Sequence, residues 1–293
     1  MSNKVIIPPI EVQNIIDDYV NQRMSILQLH QKYNYSVGVI KRHLLENNIS
    51  IRGLSESHQL YFEHNYFDRI DTKEKAYWLG FIYADGCISI GRNNMFEIKL
   101  AIKDIELLES FKRDIRSEHQ IGIYTSNNGY NKGLQYCRFG IDSKDLCEQL
   151  MKLGVNTHKT ENCIFPNTDI LPRQFVWDFI RGYFDGDGSV YITNRKYNDI
   201  VYNNPCVSFT GTQEILESIL LEIKRHCKTE TVVRPYYDDK AAFDLKFGGV
   251  NIVNTIYHLM YDDATRWLER KRSIFEQFLI NDKIETLILK DVI

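Results

Sequence analysis

The sequence predicts an α+β protein: a tandem αββαββα repeat with pseudo-twofold symmetry, preceded by a small all-α unit. Three observations carry this expectation. WLGFIYADG at 78–86 is echoed by IRGYFDGDG at 180–188, each an apolar run that closes on Asp-Gly. After each copy the apolar spacing switches from the helical to the alternating period. The first fifty residues show helical spacing only. The matching acids, Asp85 and Asp187, lie roughly a hundred residues apart, too far for a solenoid built on units of about 20 to 50 residues.

Taken in order, residues 11–22 place Val12, Ile15, Ile16 and Tyr19 on one helical face. A second helix opens at Ser25 with Gln28 as a capping-box partner. Ser36 caps a third, which buries Ile40 and Leu44 and turns Lys41 and Arg42 outward. Three short helices with a tight turn before a basic one predict a helix-turn-helix DNA-binding domain over 1–55. Residues 56–71 lose periodicity and read as a linker that partly docks.

The first repeat spans 72–165. Asp71 is expected to cap its opening helix, with Glu74 in the first turn. In 96–103, Phe96, Ile98, Leu100 and Ile102 share the core face, and Glu97, Lys99, Ala101 and Lys103 the wet face. A helix follows Asp104, then strands near 120–125 and 134–141, then a helix from Ser143 stopped by Gly154. The second repeat, 166–293, runs through a helix at 173–187, strands near 189–195 and 205–210, a helix after Thr212, strands near 229–236 and 242–248, and helices from 250. ELLESF at 106–111 returns as EILESI at 214–219.

Composition bounds the function. With 293 residues and 43% hydrophobic content the chain can build a core without staples. Its six cysteines form no C-x-x-C pair and show no zinc-ligand spacing, so they read as small hydrophobes in a reducing compartment. MSNKVIIPPIEV is too short-run for a signal peptide, and no stretch approaches membrane-spanning length. A cytoplasmic protein with no membrane partner is expected. The net charge of −3 weighs against a nucleic-acid partner, but binding follows the local field rather than the sum.

The chemistry centres on the duplicated acids. An aspartate at a helix C-terminus is electrostatically misplaced by about 0.3 to 1 kcal/mol, and here it occurs twice. Gly80, Gly182 and Gly186 each cost a helix roughly 1 kcal/mol against alanine, and with Ala84 they form small pairs that let two helices approach closely. The two motif helices should therefore pack together and bring Asp85 side by side with Asp187. Carboxylates about 5 Å apart repel by about 3 kcal/mol at an effective dielectric of about 20. A divalent cation relieves this; hard oxygen ligands suit Mg²⁺, with Mn²⁺ as a substitute. The bland alternative is a helix-ending Asp-Gly with the glycine left-handed; its duplication in matching context argues against it. Asp185, whose counterpart is Tyr83, is expected to be a solvated or supporting group.

These residues resemble the LAGLIDADG homing endonucleases. The first copy keeps Gly80, Ile82, Ala84, Asp85 and Gly86 of that motif; the second keeps Gly182, Asp185, Asp187 and Gly188. Departures are mostly apolar-for-apolar or small-for-small, except Arg181, which is expected to face solvent. The resemblance covers about 72–283 and implies a single-chain, monomeric pseudo-dimer whose saddle-shaped antiparallel sheets lie on double-stranded DNA with a long specific target. It implies that Asp85 and Asp187, with Gly86 and Gly188 beside them, bind Mg²⁺ and cut one strand each, leaving short 3′ overhangs. By position it makes Lys159 and Lys271 basic groups near the scissile phosphates, and Lys103 a group that orients solvent, with Thr212 or Gln213 as its counterpart in the second half. Outward Ser89, Lys99, Tyr191, Thr193, Arg195, Arg234, Asp244 and Lys246 would read bases or phosphates, together with Lys41 and Arg42 of the helical unit.

Other signatures fail. Gly122-Ile123-Tyr124 has no following Tyr-Ile-Gly, His64-Asn65 is too isolated for an HNH nuclease, and DGDGS lacks the later EF-hand ligands. Intein chemistry would need a nucleophile at the first residue. The rival is a non-cleaving DNA-binding regulator or an intron maturase; the presence of both acids favours the enzyme, a homing nuclease, intron-borne or free-standing, of a bacterial or phage-infected cell.

Overall fold

The computed structural model describes residues 6–22, 24–51, 60–91, 94–127, 129, 132–157, 163–197, 200–236 and 239–278, with the backbone alone at 195–197, 200–202 and 239–241. Lys159 lies outside them. The chain divides into two compact units, Met1–Phe62 and Glu63–Ile293. No described helix is long and apolar enough to cross a membrane.

The first unit holds α1 (Pro9–Val20), α2 (Ile26–Tyr33) and α3 (Val37–Glu46). Pro9 starts α1 two residues earlier than the apolar spacing indicates, since a proline with its φ preset is favoured in the first turn. The Ser25–Gln28 capping box is complete: Ser25 N–H donates to Gln28 Oε1 at 2.7 Å and Gln28 N–H to Ser25 Oγ at 3.2 Å. Asn34, left-handed at φ 57°, ends α2 and makes the tight turn before Ser36 caps α3. Ile15, Tyr19, Leu29, Ile40 and Leu44 form the core. Asp18 of α1 accepts from Lys32 and Tyr33 of α2 at 2.7 and 2.6 Å, a polar latch on that core.

The second unit repeats one topology. Its first half runs α4 (Lys73–Asp85), β1 (Gly86–Ser89), β2 (Met95–Ala101), α5 (Ile105–Asp114), β3 (Gly122–Thr125), β4 (Gln135–Asp142) and α6 (Lys144–Lys152). Its second half runs α7 (Val176–Asp187), β5 (Gly188–Tyr197), β6 (Ile200–Gly211), α8 (Gln213–Lys224), β7 (Arg234–Tyr236), β8 (Asp239–Gly248), α9 (Val250–Tyr261) and α10 (269–278). Both sheets are antiparallel, in the order β1-β2-β4-β3 and β5-β6-β8-β7. The inner faces carry aromatic clusters: Trp78 packs edge-on to Phe111, and Phe184 edge-on to Phe209.

Three local expectations change, and the linker docks in its described part. Thr72, not Asp71, caps α4 by accepting from the Lys75 N–H; Asp71 pairs instead with Lys75 Nζ at 2.8 Å. The strand expected over 96–103 stops at Ala101, because Ile102–Asp104 turns in a 3₁₀ step that starts α5. Glu97 on its wet face is only 6% exposed, held by two cations. The described part of the expected linker packs: Phe62, Tyr66, Phe67 and Ile70 are all buried, and Tyr66 meets Phe67 edge-on.

Candidate active site and nucleic-acid interface

Helices α4 and α7 pack backbone to backbone. A methyl group on Gly80 would lie 2.0 Å from the Phe179 carbonyl oxygen, and one on Gly182 would lie 1.9 Å from that of Tyr77. The approach persists to the C-termini, where a methyl on Gly186 would meet Ala84 Cβ at 2.2 Å and stand 3.4 Å from Asp85 Oδ2. The small residues thus bring Asp85 against the residue that precedes Asp187. Asp85 is half-buried and Asp187 exposed.

Neither following glycine is left-handed: Gly86 has φ −69° and Gly188 φ −93°. They are needed for space instead, since a methyl would meet Ile82 Cγ2 at 2.7 Å in one copy and Phe184 Cδ2 at 2.1 Å in the other. Each helix passes directly into the first strand of its sheet, so both acids stand where a sheet begins.

Lys271 lies beneath the second acid, 4% exposed. Its Nζ donates to the carbonyls of Phe184, Asp185, Gly186 and Gly188 at 2.7, 2.8, 3.2 and 2.6 Å. A cation among the unpaired carbonyls of a helix end offsets the negative pole that makes an aspartate costly there. Burial pulls the Lys271 ammonium down to about 8, against the opposing pull of Asp185, Asp85 and Asp187. As placed, the ammonium serves backbone carbonyls, and the Gly188 carbonyl is already engaged.

Beside the acids, Asp185 takes the supporting one of its two expected roles, and the expectation for Arg181 reverses. Asp185 is not solvated: it is 1% exposed and accepts from the Leu268 N–H at 2.7 Å and the Tyr77 hydroxyl at 2.8 Å. Burial pushes its carboxyl up to about 6, with Lys271 and these donors opposing. Arg181 does not face solvent: at 2% exposure it pairs with Asp178 at 2.7 Å and donates to the carbonyls of Arg266 and Met260. A guanidinium buried in mid-helix is held by this full set of acceptors.

The open sheet faces gather most of the expected contact residues. Antiparallel register sets Ser89 opposite Met95, Cys87 opposite Glu97, and Lys99 opposite Arg138. Glu97 accepts from Lys99 Nζ and from Arg138 Nε, at 2.5 and 2.6 Å. Tyr124 stacks on Tyr136 at 5.5 Å along the same face. Arg138 was not singled out from the sequence, although its place between buried Cys137 and Phe139 gives the alternation that exposes it. On the second sheet the backbone register sets Tyr191 opposite Cys206, Thr193 opposite Asn204, Lys246 opposite Ser208 and Arg234 opposite Asp244, with Arg195 opposite Tyr202 as backbone positions. Asp244 is 9% exposed rather than freely outward, because Lys246 holds it at 2.7 Å.

Lys103 is exposed on the 3₁₀ turn, in a cleft of about 550 Å³ that it shares with Asp104, Arg113, Arg266 and Arg270. Of its two expected counterparts, Thr212 is buried, caps α8 and donates to the Cys163 carbonyl, whereas Gln213 is exposed and donates to Glu217. Lys41 is exposed and Arg42 half-buried on α3. Among the described residues, no group of three or more His, Cys, Asp or Glu side chains could hold a metal ion. A cation held at the two acids would take two carboxylates from the described residues, with backbone, water or substrate oxygens to complete its shell. That hard-oxygen set fits Mg²⁺.

No protein-family model and no curated protein matches the sequence. Solved structures do match the fold. The LAGLIDADG homing endonuclease I-LtrWI bound to target DNA is similar over 73% of this chain and 92% of its own, at 13% identity and TM-score 0.51. I-GzeII, a LAGLIDADG homing endonuclease in complex with its DNA target, is similar over 72% and 91%, at 14% identity and TM-score 0.50. A lysine-to-alanine mutant of I-SmaMI is similar over 71% and 92%, at 14% identity and TM-score 0.50. With two motif helices packed at their glycines and two sheets of one topology, the described part of the second unit has the fold of the LAGLIDADG homing endonucleases.

Proposed function

We propose that this chain is a site-specific DNA endonuclease, hydrolysing one phosphodiester in each strand with Mg²⁺ and leaving short 3′ overhangs. The observation that carries the reading is the meeting of α4 and α7 at their C-termini, which sets two carboxylates where two open sheet faces begin. Asp85 and Asp187 would hold the metal, which when bound polarises the phosphodiester and activates a water; Mn²⁺ would substitute. Gly86 and Gly188 let each helix turn into its strand without displacing the acid. Lys271 holds the turn that bears Asp187, and Lys159 is the expected counterpart in the first half. Lys103, exposed beside Arg270, would meet phosphate or orient solvent.

Recognition falls to the open faces, through Ser89, Lys99 and Arg138 on one and Tyr191, Thr193, Arg195, Arg234 and Lys246 on the other. Residues 1–55 would add DNA contacts through Lys41 and Arg42 of α3, in the manner of a helix-turn-helix. The protein would act as a monomer on a long duplex target in the cytoplasm of a bacterial or phage-infected cell.

Cleavage in Mg²⁺ of the genomic DNA that flanks the coding sequence, joined as an uninterrupted duplex, tests the reading. Asp85→Asn and Asp187→Asn should each convert double-strand cutting to nicking, or lower it at least a hundredfold, with target affinity kept. Binding without cleavage in either Mg²⁺ or Mn²⁺ would favour a non-cleaving regulator or maturase.

A further inference from the structure

The last turn of α7 and the segment entering α10 hold one another reciprocally. The Asp185 carboxylate takes the Leu268 N–H at 2.7 Å, with the Tyr77 hydroxyl at 2.8 Å and the Tyr261 hydroxyl at 3.4 Å. In return the Lys271 ammonium takes four carbonyls of that turn, those of Gly186 and Gly188 on either side of Asp187 among them. The segment is also tied to the first repeat, by Arg266 on Asp114 and Arg270 on Asp104. The first motif has no such carboxylate. Tyr83 stands in the place of Asp185, and its hydroxyl donates to the Leu153 carbonyl at 2.7 Å.

We propose that Asp185 is a positioning residue for one half-site only: it fixes residues 268–271 so that Lys271 grips the Gly186–Gly188 turn and sets the Asp187 carboxylate for its strand. The proposal rests on the endonuclease reading above. Its physical basis is the closure of the clasp. Without the carboxylate, a buried N–H loses its acceptor and the ammonium loses a buried counter-charge. The turn is then free to shift, and a displacement of about 1 Å at a reacting group costs on the order of a hundredfold in rate.

The test follows each strand separately, on a duplex isolated from randomised DNA by binding to the full chain, with a different dye on each strand and Mg²⁺ present. The strand served by Asp187 is the one left uncut by Asp187→Asn. Asp185→Ala should slow that strand at least tenfold more than the other and accumulate the same nicked product. Asp185→Asn keeps an oxygen for Leu268 but not the charge, and should show the same bias more weakly; it carries the comparison if the alanine variant does not fold. Equal slowing of both strands, or of neither, overturns the proposal. If the wild-type chain binds DNA and cuts neither strand, the endonuclease reading fails on its own. The clasp is then decided by deuterium exchange, which Asp185→Asn should speed at 268–271 and not at 95–101; unchanged exchange overturns it.

Discussion

A methyl group on Gly182 would stand 1.9 Å from the carbonyl oxygen of Tyr77 on the facing helix. No side-chain rotation relieves a clash with backbone, so Gly182→Ala must part α4 from α7. Overpacking costs about 1 to 3 kcal/mol, occasionally more, and here the upper part of that range or beyond is expected. Gly38 of α3 meets nothing within 4 Å, so Gly38→Ala should instead stabilise the first unit by up to about 1 kcal/mol. Urea unfolding of both variants checks the contrast.

The buried pair Arg181–Asp178 offers a second test. Arg181→Leu copies the Leu79 of the first motif but leaves the 6% exposed Asp178 without its cation. Breaking a buried pair costs about 3 to 5 kcal/mol. Adding Asp178→Ala should recover part of that loss, since no charge is then stranded; the double variant less stable than the single would contradict this.

Glu97 predicts a pH dependence. Burial works to raise its carboxyl, and the bonds from Lys99 and Arg138 overcome this, holding it below the usual glutamate range. A carboxylate lowered on folding contributes stability that is fully present above its unfolded pKa of about 4.3 and is lost as pH falls through the folded value. Glu97→Gln should remove that contribution at neutral pH and flatten the acid limb of stability below about pH 5. Denaturant midpoints across this range measure it.

Removal of residues 1–55 should weaken DNA affinity and lower its salt dependence, because every phosphate that is no longer neutralised reduces the slope of log affinity against log salt by about 0.9. An unchanged slope would mean that Lys41 and Arg42 do not touch phosphate.

Much of this was legible in the sequence. Periodicity located the repeated helices and strands, and Gly80, Gly182 and Gly186 foretold the close helix pair, because only a near backbone makes mid-helix glycine worth its cost. What stayed hidden depends on partners distant along the chain. Arg181 looks like a surface residue until Met260 and Arg266 supply acceptors some eighty positions away, and Asp185 stands undecided between a solvated and a supporting role until Leu268 and Tyr77 enclose it. Asp71 and Thr72 are both good caps in isolation; the choice between them turned on Lys75, which gives its N–H to Thr72 and its ammonium to Asp71.

The two sheets share a strand order and differ in what they display: a Glu97-centred cluster of Lys99 and Arg138 on one, and on the other an Asp244–Lys246 pair with hydroxyls and amides around Thr193 and Asn204. A symmetric homodimer must present the same face twice and so suits a palindrome. This chain is under no such obligation. Mutation can retune either face while the opposite one stays as it was, and a ligand met by both has no need to read alike in its two directions.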